Sequence, residues 1–158
     1  MTEITSRFEW GGFIVSSFIE LEVDSALAKY AREHPNFGRQ YMAQHPVVVD
    51  RFRRELSNPT FTIMKVDDEI VEEASEMLKQ HPEYALHAGD AVHLVTALRA
   101  RAELAAHEML VFVTADRGLE LAARAEGFHT LNPMREGIHE LRELITATPA
   151  GGANDESA

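Results

Sequence analysis

Apolar residues follow two patterns along this chain, and the two patterns alternate. Short, nearly continuous apolar runs predict buried strands at residues 13–15, 61–66, 109–113 and 128–131. Apolar residues spaced by three and four positions predict helices at 17–33, 37–56, 67–80, 89–98, 117–126 and 135–146. Strands that alternate with helices predict a three-layer α/β/α fold, with a parallel sheet covered by helices on both faces.

Two of these helix predictions depend on single residues. Ser17 is followed three residues later by Glu20, which fits a capping box, so we expect the first helix to begin at Ser17. Pro46 lies inside an otherwise helical stretch. Because proline cannot donate a backbone hydrogen bond, we expect two helical pieces there.

The length of 158 residues suits a single domain, which we expect to span residues 1–146. Residues 147–158 are small and polar, and we expect them to form a disordered tail. No apolar run approaches the roughly 18 residues that a membrane span requires. The first residues are too polar for a secretory signal, and the chain has no cysteine for a disulfide, a thiolate zinc site or a nucleophile. These features predict a soluble cytoplasmic protein.

The chain is acidic, with 15 Lys and Arg against 26 Asp and Glu and a formal net charge of −11. This balance argues against uniform attraction to phosphate, although carboxylates that hold metal ions contribute negative charge of their own. Arg51, Arg53 and Arg54 form the densest basic cluster. For that cluster a solvated helix face is favoured over an RNA contact.

Three carboxylates occupy positions that are typical of functional residues. Glu22 falls within the apolar stripe of its helix, where a carboxylate is costly unless it is paired, hydrogen-bonded or metal-bound. Asp90 begins its helix on the apolar side, and Asp116 follows the most hydrophobic strand, with Thr114 two residues earlier. Ligands of α/β sheets collect outside the carboxyl ends of strands. Structural roles stay open: a rim residue or arginine partner for Glu22, and helix N-caps for the two aspartates.

Three blocks of sequence resemble the PIN domain family, especially the bacterial VapC-like toxin ribonucleases. They are residues 13–27 (FIVSSFIELEVDSAL), 86–98 (LHAGDAVHLVTAL) and 110–127 (LVFVTADRGLELAARAEG), and the resemblance as a whole covers 13–133. Glu22 matches the glutamate that the family carries on a helix. Asp90 matches the family's central aspartate, and Asp116 matches the aspartate that follows a strand. Thr114 matches a hydroxyl position beside that last acid.

The resemblance implies an endoribonuclease that uses Mg²⁺ or Mn²⁺ held by Glu22, Asp90 and Asp116. Hard oxygen ligands suit these ions, which can activate water for attack on a phosphodiester. It also implies an RNA substrate and, for a toxin, a cognate antitoxin protein that occupies the acidic cleft or its rim. An exposed sheet edge would favour a homodimer.

The sequence departs from the family at its start. Family members resembling this one open with a central hydrophobic strand that ends in an aspartate followed by Thr or Ser, whereas the first aspartate here is Asp24. We therefore expect the first strand and its acid to be missing, through truncation, misassigned start or decay. A hydrophobic segment ending in Asp-Thr or Asp-Ser, added upstream, would restore the nuclease reading.

That departure leads to alternative functions. The first alternative is a noncatalytic or truncated PIN-like module that binds a partner. A different metal-dependent phosphohydrolase is a weaker alternative, because no glycine-rich phosphate loop is present. His87 and His93 flank Asp90, but their spacing of six residues matches no zinc pattern. A packed, hydrogen-bonded histidine is favoured for His93.

Overall fold

The computed structural model describes residues 12–34, 38–105 and 108–135. The elements in chain order are β1 (Phe13–Ser16), α1 (Ile19–Glu33), α2 (Gly38–Leu56), β2 (Phe61–Met64), α3 (Asp68–Gln80), a 3-10 turn (Pro82–Tyr84), α4 (Ala88–Glu103), β3 (Val111–Val113), α5 (Arg117–Ala125) and β4 (His129–Leu131). None of the helices in these ranges is long and apolar enough to cross a membrane.

The strands pair in parallel, as the alternation of strands and helices predicts. β1 pairs with β2 in a register that sets Phe13 opposite Phe61, and the two rings stack with centroids 5.2 Å apart. β3 pairs with β4, with Val111 opposite His129. The mixed α/β class with parallel strands is therefore confirmed. Within the described ranges, however, the strands form two separate two-stranded sheets instead of one continuous sheet.

The hydrophobic core is built around α4. The stripe predicted from sequence points inward: Ala91 and Leu94 have no exposed surface, and Val95 has almost none. α3 packs against this stripe through Ile70 and Ala74. The rest of the buried cluster comes from α3, α4, α5, β3 and the residue before β4: Met77, Val92, Phe112, Leu119, Ala122, Ala123 and Phe128.

Ion pairs on the surface fix α3 against α4. Arg99 on α4 donates from Nη2 to Glu73 Oε1 at 2.7 Å and from Nε to Glu73 Oε2 at 3.2 Å, and it also donates to Glu69 at 3.1 Å. The hydrogen bond from Arg99 is the main reason that the pKa of the Glu73 carboxyl lies below its usual value. Because the planar guanidinium engages both oxygens of Glu73, the contact sets the orientation of α3 as well as its distance.

The predicted break at Pro46 is wrong, because α2 is continuous from Gly38 to Leu56 with Pro46 inside it. Pro46 lies on an exposed part of the helix. The helix therefore tolerates the loss of one backbone hydrogen bond at Pro46 without ending.

The predicted capping box at Ser17 is also wrong. α1 begins at Ile19, and its N-cap, Phe18, makes no side-chain capping bond. The Ser17 hydroxyl instead accepts the backbone N–H of Val66 at 3.0 Å, and Glu20 accepts from Arg53 Nε at 3.2 Å. Ser17 thus ties the end of β1 to the segment that follows β2.

Three predictions concern residues outside the described ranges. They are the absence of the family's opening strand from the start of the chain, the terminal helix at 135–146 beyond Arg135, and the disordered tail at 147–158. They stay predictions.

Replacing Leu94 by Ala tests whether α4 is the centre of the core. Leu94 is fully buried, so Leu94→Ala should lower the free energy of unfolding by about 2–5 kcal/mol through lost burial and the cavity left behind. Leu21, 59% exposed on α1, is the matched control, and Leu21→Ala should change stability by less than about 0.5 kcal/mol. Urea denaturation measures both, and equal effects would contradict this account of the core.

Candidate active site

A cavity of about 480 Å³ opens where the N-terminal parts of α1, α4 and α5 meet. Its walls contain all three acids predicted from sequence, Glu22, Asp90 and Asp116. The other lining residues are Phe18, Leu21, Ser25, His87 and Gly89. The N-terminal end of a helix carries partial positive charge, so each acid lies where a carboxylate is stabilised.

Glu22 is held by a chain of two hydrogen bonds that joins three elements. Glu22 Oε2 on α1 lies 2.6 Å from His93 Nε2 on α4, and His93 Nδ1 lies 2.9 Å from the hydroxyl oxygen of Ser16 at the end of β1. A carboxylate only accepts hydrogen bonds, so Nε2 carries the proton, and in the neutral ring Nδ1 accepts from the Ser16 hydroxyl. The histidine therefore fixes the glutamate relative to the sheet.

Ser16, His93 and Glu22 are the residue types of a hydrolase catalytic triad, but the burial of Ser16 excludes it as a nucleophile. Only 3% of this residue is exposed, so a substrate has no access to its hydroxyl. The chain of hydrogen bonds acts on Glu22, whose side chain is 37% exposed. We interpret Ser16 and His93 as residues that position this carboxylate.

Gly89 lets the Glu22 carboxylate approach the first turn of α4. A Cβ atom at residue 89 would lie 2.9 Å from Glu22 Oε1 and 3.3 Å from the ring of Phe18. The carboxylate consequently lies against the turn that also carries Asp90. No side chain other than hydrogen leaves room for this contact without a shift of Glu22.

Asp90 is the third residue of α4 and not its N-cap. Its Oδ2 accepts the backbone N–H of His87, the actual N-cap residue, at 2.8 Å. This bond satisfies an N–H group at the start of the helix and fixes the carboxylate at the cavity.

Asp116 is the N-cap of α5, one of the structural roles left open by the sequence. Its Oδ1 accepts the backbone N–H of Leu119 at 2.9 Å, and its own N–H donates to Thr114 Oγ1 at 3.1 Å. A Cβ at Gly118 would lie only 2.4 Å from the backbone oxygen of Tyr84, so the first turn of α5 packs tightly against the 3-10 turn before α4. This packing brings Asp116 to the same cavity as Asp90.

The chemistry of these donors fits a hard divalent ion. One oxygen of each carboxylate has a hydrogen bond from the protein, whereas Glu22 Oε1, Asp90 Oδ1 and Asp116 Oδ2 have none within the described residues. Carboxylate oxygens are the ligands that Mg²⁺ and Mn²⁺ prefer. In the described part of the chain, however, no three His, Asp or Glu side chains are grouped closely enough to form a metal site. Binding would therefore require these side chains to move closer together.

The two histidines beside Asp90 differ in their surroundings. His93 has a hydrogen-bond partner at both ring nitrogens, which agrees with the prediction of a packed, satisfied histidine. The His87 side chain is 91% exposed, and its Nδ1 lies 3.4 Å from Asp90 Oδ2. The sequence did not reveal the link from His93 to Glu22. The spacing of three residues between Asp90 and His93, which places both on one side of a helix, was the available signal.

Comparison with known proteins gives one match. The family model described as PIN domain matches residues 3–125, which is most of the chain and includes Glu22, Asp90 and Asp116. Neither the comparison with curated proteins nor that with solved structures returns a match.

Replacing His93 by Ala tests the hydrogen-bond chain at this site. The change leaves the buried Ser16 hydroxyl without a partner, so His93→Ala should lower the free energy of unfolding by about 1–3 kcal/mol. His129→Ala is the matched control, and its exposed position on β4 predicts a change within about 0.5 kcal/mol. Denaturant melts of both variants, and of Ser16→Ala alone and with His93→Ala, give the energies. Fully additive effects at Ser16 and His93 would show that the two side chains are not coupled.

Proposed function

The chain belongs to the PIN domain family, a nuclease-type family, and from this premise we propose that it is a metal-dependent endoribonuclease that hydrolyses RNA phosphodiester bonds. The observation that carries the proposal is the meeting of Glu22, Asp90 and Asp116 at one cavity, although they come from helices far apart in the sequence.

In this proposal the three acids hold Mg²⁺ or Mn²⁺ through the oxygens that the protein leaves free. When bound, the ion would activate a water molecule and stabilise the charge that develops on the phosphoryl oxygens. His93 keeps Glu22 turned toward α4, and the capping bonds of Asp90 and Asp116 keep their carboxylates from rotating away. These hydrogen bonds limit the distance that the carboxylates would have to move to reach a shared ion.

A finer part of the proposal concerns biological role. We propose that the chain is the toxin of a toxin-antitoxin pair and acts in the cytoplasm. The support is the resemblance of residues 13–27, 86–98 and 110–127 to VapC-like toxins. A cognate antitoxin would have to cover the cavity, where an acidic surface favours a basic partner segment.

A noncatalytic or truncated PIN-like module is the second candidate, and two observations favour it. The strands of residues 12–34, 38–105 and 108–135 form two separate pairs, and none of these residues forms a strand that joins the pairs. The three acids share a cavity without forming a close cluster. Such a module would keep the scaffold and bind a partner without cutting RNA.

Metal binding and cleavage separate the two candidates. For the nuclease, Mn²⁺ at 100 times its dissociation constant should raise the free energy of unfolding by about 2.7 kcal/mol. Asp90→Asn keeps a capping oxygen but removes a charged ligand, so it should abolish most of this gain and lower RNA cleavage by at least about 100-fold. Thermal melts with and without metal, together with cleavage of a labelled RNA, measure both effects.

Glu72→Gln is the matched control, because this exposed acid lies on α3, outside the cavity, and should change neither result. A cooperative melt that millimolar Mn²⁺ does not shift, with no cleavage, would favour the noncatalytic module. Cleavage that survives Asp90→Asn would contradict the proposed site.

A further inference from the structure

The described basic side chains form two groups that could meet a phosphate backbone. The group on α2 contains as many acids as bases. Its members are Arg51, Arg53 and Arg54 with Asp50, Glu55 and, from α1, Glu20. Its charge is therefore balanced, which agrees with the solvated face expected from sequence.

The second group surrounds a single buried acid, Glu120 on α5, which is only 1% exposed. Arg124 Nη2 donates to Glu120 Oε1 at 2.7 Å, and Arg117 Nη1 donates to Oε2 at 3.4 Å. Arg135, which follows β4, donates to the same Oε2. Arg124 is further held by Thr130, whose hydroxyl accepts its Nε–H at 2.7 Å. We call Arg117, Arg124 and Arg135 the Glu120 arginine group.

The group has an excess of positive charge. Burial alone raises the pKa of the Glu120 carboxyl, but the hydrogen bond from Arg135 and the charges of the three guanidinium groups outweigh it, and the pKa is lowered. Glu120 is thus ionised at neutral pH, and three cations contact this one anion. The neighbouring acids Asp116 and Glu126 bond to Leu119 and His81 instead. About half or more of each arginine side chain is exposed: 63% for Arg117, 49% for Arg124 and 53% for Arg135.

Each guanidinium carries five N–H donors, and the contacts with Glu120 and Thr130 use only a few of them. The remaining donors belong to side chains that the buried carboxylate already holds in place. An anion that binds there therefore loses less free energy to the ordering of side chains than it would on separate surface arginines.

Two members of the Glu120 arginine group, Arg117 and Arg135, lie at the sheet edge that carries Asp116 of the candidate active site. Arg117 directly follows Asp116, which lines the cavity, in the first turn of α5. Arg135 lies four residues after the end of β4, which runs parallel to β3. Both residues therefore belong to the carboxyl edge of this strand pair, the edge that also carries Asp116.

We propose that the Glu120 arginine group is a phosphate-binding subsite that holds the RNA backbone next to the acidic cavity. The inference rests on the proposed function and adds the residues that bind the substrate. A chain with net charge −11 and three carboxylates in its cavity repels phosphate, so the RNA needs a local cationic surface close to the site of cleavage. Guanidinium groups suit this role because they bind phosphate oxygens through two parallel hydrogen bonds.

The test is RNA binding by a chain that carries Asp90→Asn, so that cleavage does not interfere. The double change Arg117→Gln with Arg135→Gln removes two cations and leaves Arg124 paired with Glu120. Anisotropy of a labelled single-stranded RNA, measured at several salt concentrations, should show binding at least about tenfold weaker. The slope of log K against log salt should fall by about 1.4, since each lost contact with single-stranded RNA accounts for about 0.7.

Two further variants make the result specific. Arg51→Gln with Arg54→Gln on α2 removes the same charge elsewhere and should leave the salt slope unchanged. Arg117→Lys with Arg135→Lys keeps the charge, so the slope should be retained while binding weakens through loss of the paired hydrogen bonds. If the double glutamine variant does not melt cooperatively, Arg117→Gln alone replaces it, with an expected fall in slope of about 0.7.

Unchanged RNA binding by the glutamine variants would overturn the proposal and assign the arginines a purely structural role around Glu120. Equal loss in the α2 variant would also overturn it, because general charge would then explain the effect. RNA cleavage by the unaltered chain with Mn²⁺ is measured separately. Cleavage combined with unchanged binding would remove the subsite but leave the proposed nuclease intact.

Discussion

α4 has its first turn at the candidate active site and its middle in the core, so the burial of this one helix constrains both. Leu94 and Val95 are closed off from solvent, and this fixes the rotation of the helix about its axis. Successive residues of a helix are about 100° apart, so a slip of one residue would turn Asp90 and His93 away from Glu22. The strand β1 packs against α4, and the bond from His93 to Ser16 is one of the contacts that join them.

Electrostatics explains how three acids can share a cavity in an already acidic chain. Asp90 and Asp116 lie in the first turns of α4 and α5, and Glu22 lies in that of α1. A helix N-terminus stabilises a nearby carboxylate by about 0.3–1 kcal/mol, and each acid also accepts a hydrogen bond. The repulsion between the acids is therefore offset locally, before any cation binds. The Glu120 arginine group adds positive charge beside the cavity without entering it.

The sequence was informative wherever the structure depends on local periodicity. The stripe of Ala91, Leu94 and Val95 was sufficient to predict α4 and its buried face. Ser17 was misread because its hydroxyl bonds Val66, 49 residues away in the chain, and such a partner leaves no local pattern. Pro46 was misread because its effect depends on exposure, which the local sequence does not specify.

The candidate site shows the same division between local and distant information. Glu22 was singled out because a carboxylate within a buried apolar stripe is energetically costly. That premise was wrong, because α1 has no buried residue. Glu22 nevertheless lines the cavity. The resemblance to a family supplied the three acids. It could not supply Ser16 and His93 as their support, because the contact between them joins β1 to α4 and depends on how those elements pack.

The three acids divide their oxygens between fold and chemistry. Asp90 and Asp116 each use one oxygen to cap a helix, and Glu22 uses one for His93, so the second oxygen of each is available to a ligand. An N-cap such as Asp116 contributes about 0.5–2 kcal/mol, and asparagine serves at that position about as well as aspartate. Both helix starts need an acceptor oxygen: residue 116 for the N–H of Leu119 and residue 90 for the N–H of His87. The partial positive charge of the helix N-termini stabilises both carboxylates, and the second oxygen of each is the atom that the proposed metal ion would use.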